Sequence, residues 1–135
     1  MNYEDACDRI MTLMDGLSWI KAAPADPPAA PAQFPFAALF PEKGESKLAS
    51  DVKQDLHTVA LEIHWALRDM PRQVGDAKDR LDDVLNELHN DPTLNGTVDT
   101  IVSPITYEFG PMEYGALKTL GFIFHITFKQ RTAVS

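Results

Sequence analysis

The sequence is short of cations, nearly free of cysteine and without a long apolar run, and each shortage excludes something. Twelve Lys and Arg face 20 Asp and Glu, a formal net charge of −8. That balance argues against a surface that grips nucleic-acid phosphates or an anionic membrane, though not against a protein that nucleic acid slides past. Cys7 stands alone. A disulfide within the chain is therefore impossible, and the fold does not depend on oxidation, which suits a reducing cytosol. No apolar run approaches the roughly 20 residues needed to cross a bilayer. The first residues, MNYEDACDR, are acidic and lack the charged-then-apolar pattern of an export signal. The expectation is a protein that stays where it is made or leaves only as part of a larger particle. The seven glycines are scattered and form no phosphate-cradling loop, and no GxSxG nucleophile turn is present.

What the chain does have is 135 residues at 44% hydrophobic, enough apolar mass for one core and the size of one domain, 1–135. Its strongest pattern lies near the end. Leu120, Phe122, Phe124, Ile126 and Phe128 alternate with Thr119, Gly121, Ile123, His125, Thr127 and Lys129. That is a period of two with one large aromatic face, which predicts a long central strand. Val59, Leu61, Ile63, Trp65 and Leu67 alternate in the same way and predict a second strand whose apolar face lies beside the first. Two helices are expected. Tyr3, Ala6, Ile10, Leu13, Met14 and Leu17 make one stripe behind an Asn2 cap, with Gly16 ending it. Val74, Ala77, Leu81, Val84, Leu85 and Leu88 make another, opened by Pro71, with its many aspartates read as a solvated face.

Between the first helix and the first strand, six of the ten prolines lie from Pro24 to Pro41. Neither a helix nor a central strand runs through Pro24 to Pro35. Residues 21–54 read as a long Pro/Ala-rich loop or arm, with Glu42 to Lys53 a solvated loop. Phe34, Phe36, Leu39 and Phe40 inside it read either as a short edge strand on their own domain or as an arm docking on a neighbouring subunit. After the second helix, Asp91-Pro92-Thr93-Leu94-Asn95-Gly96 is a turn, with Leu94 tucked under the helix end. Val98 to Phe109 is extended, with Pro104 at a bulge or edge, and Glu108 to Ala116 is a turn leading into the last strand.

No catalytic, cofactor-binding or metal-ligating set emerges, and the chain reads as a non-enzyme. Glu62 and His64 share a strand face and His125 could lie across from them, but a lone strand histidine is more often hydrogen-bonded or solvent-facing. A metal or acid/base site using His57, His64 and His125 is the enzyme alternative.

The order of elements, the words Asp91-Pro92-Thr93-Leu94-Asn95-Gly96-Thr97-Val98 and Tyr114-Gly115-Ala116, and the ending Phe122 to Phe128 resemble the tail terminator proteins of long-tailed bacteriophages. Asn95 stands where that family more usually has glycine. The resemblance covers roughly Asp55 to Thr132. It implies an α+β fold, a mostly antiparallel sheet packed against two amphipathic helices. It implies a homo-oligomeric ring, a hexamer, that caps the tail tube, ends tube polymerisation and joins the tail to the head connector. The implied partners are the tail tube protein and the head–tail connector protein. DNA would pass through the lumen without sequence-specific binding, no membrane is involved, and the protein would reside in the virion after assembly in the host cytoplasm. Residues expected at a subunit or partner interface are Phe34, Phe36, Phe40, Met112, Tyr114, His125, Lys129 and Arg131. The alternatives are another neck or tail-completion protein, or a small adaptor binding one partner through residues 34–40.

Overall fold

A computed structural model describes residues 2–133. Helix α1 (Tyr3–Asp15) is followed by β1 (Phe36–Ala49), β2 (Val52–Ala66), α2 (Met70–His89), β3 (Thr100–Tyr114) and β4 (Leu117–Ala133). The four strands form one antiparallel sheet in the order β1-β2-β4-β3. The fold is therefore α+β, and the alternating last strand lies inside the sheet.

The register explains why. Val59, Leu61, Ile63 and Trp65 of β2 stand opposite Ile126, Phe124, Phe122 and Leu120 of β4. Side chains two apart share a face, so these eight make one apolar surface, and all are buried. Both helices bury their stripes on it. Ala6, Ile10, Met11 and Met14 come from α1, and Ala77, Val84 and Leu88 from α2. The Asn2 side chain accepts from the Asp5 backbone N–H at 2.8 Å and opens α1, and Gly16 ends it.

Two tryptophans fasten α2. Trp19 and Trp65 stack with ring centroids 5.9 Å apart. The Trp19 indole donates to Asp83 at 3.0 Å and the Trp65 indole to Asp76 at 2.8 Å. Arg80 lies over the Trp19 ring at 5.6 Å and between the same two carboxylates. Asp76 and Asp83 thus anchor the buried Trp65 and the half-buried Trp19 while staying on the solvated face that the sequence predicts, their side chains 43% and 42% exposed.

Two assignments are corrected. Residues 21–54 are not one loop or arm. Phe36–Ala49 is an edge strand paired to β2 over its length, with a bulge between Pro41 and Lys43, and it turns tightly into β2. Only the part before Phe36 is irregular, and it runs back along the strand through Lys21 N–H to Pro35 O and Ala37 N–H to Ala22 O bonds of 2.9 and 2.8 Å. The short edge strand read at Phe36 to Phe40 is present and far longer. Second, Glu108 to Ala116 is not a turn region. Gly110, Pro111 and Met112 pair with Gly121, Leu120 and Thr119, and the reversal is confined to the residues around Gly115, whose φ is +60°. Pro111 is tolerated because β3 is an edge strand. The register of β3 shifts between Val102 and Thr106, around Pro104, as its proline suggested.

The turn after α2 is built as read. Leu94, Asn95 and Gly96 have φ of 46°, 57° and 81°, and Leu94 is fully buried under the helix end. Asp91 holds it, accepting from the Asn95 N–H at 2.9 Å and pairing with Arg9 of α1 at 2.8 Å.

Candidate functional site

The helices cover one face of the sheet. The other face carries the polar side chains of β2 and β4, and it divides into three zones.

At one end lies a sealed cluster. The irregular segment before β1 closes over Phe36, Ala38 and Tyr114, and the Tyr114 hydroxyl donates to the Pro28 carbonyl. Beneath it His64, fully buried, has Nδ1 2.6 Å from the Thr119 hydroxyl and Nε2 2.8 Å from Glu62. A hydroxyl, an imidazole and a carboxylate in a row are the parts of an activated nucleophile. Thr119, however, is itself fully buried, so no substrate reaches its oxygen in this conformation. The chain of bonds joins β2 to β4 and satisfies groups that would otherwise be costly to bury. Burial and the nearby Glu62 carboxylate also push the Tyr114 hydroxyl above its ordinary pKa.

In the middle is an exposed cluster. The β1 bulge turns Glu42 across the small Ala60 of β2 toward His125 of β4, whose Nδ1 lies 2.8 Å from it. Glu108 of β3 approaches the other ring nitrogen at 3.2 Å. The bond to Glu42, reinforced by Glu108, holds His125 above the usual imidazole range despite partial burial. Among the described residues no group of three His, Cys, Asp or Glu is placed to hold a metal ion. His57 is on the opposite face, against Tyr3 and Phe128. The three histidines are therefore not brought together.

At the far end the strands of β1, β2 and β4 run on past the last bond to α1, where Gln130 donates to the Asn2 carbonyl at 2.7 Å. Here the open face carries Lys43, Lys47, Lys129 and Arg131. Arg131 pairs with Asp99 at 2.9 Å. On the helix side of this extension Asp55 is buried. Burial alone would raise its pKa, but the Ser46 hydroxyl, Lys53 and His57 outweigh that and hold it below the ordinary value.

The expected interface residues are thus separated by the fold. Phe36 and Tyr114 lie inside the chain's own core, and Phe34 and Phe40 pack against them half-buried. Met112 is half-buried on edge strand β3, His125 is held between two carboxylates, and Lys129 and Arg131 are exposed. Sequence reasoning missed Tyr107 and Phe109 on the helix side of that same edge, both more than a third exposed. Phe109 borders an apolar groove of about 160 Å³ with Val74, Ala77, Leu81 and Phe122. Cys7 is half-buried on α1, and burial together with Asp8 and Glu4 pushes its thiol up to about 11 against the Tyr3 bond that lowers it. It is an unreactive cysteine at neutral pH. No helix is long and apolar enough to cross a membrane among the described residues.

No family model matches this chain, and no curated protein matches it.

Proposed function

We propose that the protein is a structural ring subunit of a phage tail, of the tail terminator kind. The ring, a hexamer, caps the last ring of the tail tube, stops its growth and joins the tail to the head connector, with DNA passing through the hole. The observation that supports this most is the unlike character of the subunit's sides. Helices cover one face of the sheet, the other face is left open with a basic end, and the two edges differ, β1 ending in a charged extension and β3 bearing exposed aromatics. A closed ring needs a head-to-tail contact between two different surfaces of one subunit. The words that carry the resemblance also lie at the frame of the sheet. Asp91 to Val98 is the turn pinned by Arg9, and Tyr114 to Phe128 is the reversal and the central strand.

The adaptor alternative needs free aromatics at residues 34–40, and Phe36 is 1% exposed within its own chain. The test is the mass of the purified chain in solution, with negative-stain microscopy of the same sample. Closed six-fold rings with a central hole are expected. A protein that stays monomeric at the highest attainable concentration would refute the reading.

A further inference from the structure

The chain carries a net charge of −8, yet one end of its open sheet face gathers cations. The register sets Lys47 opposite Gln54, and Gln54 opposite Arg131, while Lys129 stands opposite Leu56 and Lys43 opposite Thr58. Two-residue alternation puts all four cations on the side away from the helices. Glu45 and Asp99, the latter paired with Arg131, are the acids beside them, and the neighbouring Glu42 is turned to His125. Of the four, Arg131 alone is ion-paired among the described residues.

The reverse holds on the other side of the molecule. Helix α2 carries five acids against Arg72, Lys78 and Arg80. Asp76 and Asp83 are tied to the two tryptophans. Asp79 and Asp82 are exposed and, among the described residues, without an ion pair. Three residues apart on a helix, they are neighbours of like charge, which is unfavourable until a cation comes between them. The stripe they occupy points away from the sheet, because Ala77, Val84 and Leu88 point into the core.

We infer that the basic end of the open sheet face, through Lys47 and Lys129, docks on the Asp79/Asp82 stripe of α2 in the next copy of this chain. This rests on the ring reading above and names its contact. The two surfaces have opposite sign and lie on opposite sides of one two-layer subunit. A contact between them is therefore heterologous and repeats from copy to copy. The overall acidity of the chain and the carboxylates of Glu42, Glu45 and Glu108 on the same face favour a patterned protein partner over a phosphate backbone.

Two variants of the full chain test this, Lys47→Glu with Lys129→Glu, and Asp79→Lys with Asp82→Lys. All four positions are exposed, so each variant should melt as the parent does. Assembly is followed by sedimentation at low salt and at about 1 M salt, where screening acts within about 3 Å. Each variant alone should assemble at least about tenfold more weakly, because it sets like charges face to face. Mixed in equal amounts they should assemble again, since the acidic sheet face of one then meets the basic helix of the other at one junction and the parental lysine-to-aspartate pairing forms at the next. Where a reversal disturbs folding, Lys47→Gln with Lys129→Gln should still weaken assembly. Wild-type rings together with rings from both reversal variants would overturn this contact and leave the ring reading standing. A monomeric wild type would overturn both. Tight binding of a single-stranded oligonucleotide, lost in the lysine variant while assembly is unchanged, would reassign the basic face to a polyanion.

Discussion

At Asp91 one carboxylate ties three parts of the chain, accepting from the Asn95 backbone, pairing with Arg9 and closing the turn after α2. Burial pushes its pKa up, and the Asn95 N–H and Arg9 together outweigh that and hold it below the ordinary carboxylate value. A depressed carboxyl contributes stability that is present above its unfolded pKa, about 3.9, and is lost as pH falls through the folded value. Asp91→Ala should therefore cost on the order of 2 kcal/mol at neutral pH. The gap from wild type in denaturant unfolding should close in acid below about pH 4. A gap that persists there would trace the loss to backbone geometry instead. His125 has the opposite sign. Glu42 holds its pKa up, so its contribution is complete below the unfolded value of about 6.5 and is lost as pH rises through the raised one. His125→Gln should lower the melting temperature most near pH 6 and leave it unchanged in alkali, as thermal melts across that range would show.

At the scale of elements, the pairing of β2 with β4 depends on a close approach at one residue. A Cβ on Gly121 would lie 2.0 Å from the Ile63 carbonyl oxygen and 3.2 Å from the His64 Cα, both of them backbone. Gly121→Ala should therefore force the two central strands apart and destabilise the fold by more than about 3 kcal/mol. Its melting temperature and soluble yield measure this, and a near-normal melt would mean the strands yield more easily than their backbone contact implies. The two central strands were legible because each buries one face and shows a period of two. The helices were legible because their stripes and the Asn2 cap are local signals. Residues 42–54 gave no such signal. Glu42, Lys43, Glu45 and Lys47 lie on an edge strand exposed on both faces, so hydrophobicity has no period there, and only pairing with β2 makes it a strand. Gly110 and Pro111 misled for a related reason, since an edge strand accepts a glycine and a missing N–H that a central strand would not. Of the site, the polar face of β4 was legible. The Glu42 contact with His125 spans 83 residues and the Trp19 contact with Asp83 spans 64, distances over which no spacing rule operates.

The whole molecule is a two-layer body with a sheet extension at one end. Its core lies between the helices and the β2/β4 face, and among the described residues the extension beyond Gln130 has no helix behind it. Residues 45–54 are stabilised mainly by strand pairing, with Asp55 held by Ser46 and Lys53 at their base. Local opening costs least where few apolar contacts are lost. In a separated subunit, amide hydrogen exchange should be slowest around Phe124 and Leu61, where the strand is paired along both edges and the helices cover one face, and fastest in the hairpin tip near Leu48, which is 65% exposed. Assembly should change that order at two places. If the basic end of the sheet seats on the next copy's helix, residues 43–49 and 129–132 should gain protection together with residues 78–83, while the loop before β1 stays as it was. Mass-spectrometric exchange on assembled and dissociated samples reads all of these segments at once. Protection gained along β3 near Tyr107 and Phe109 instead would place the subunit contact at the aromatic edge and its neighbouring groove.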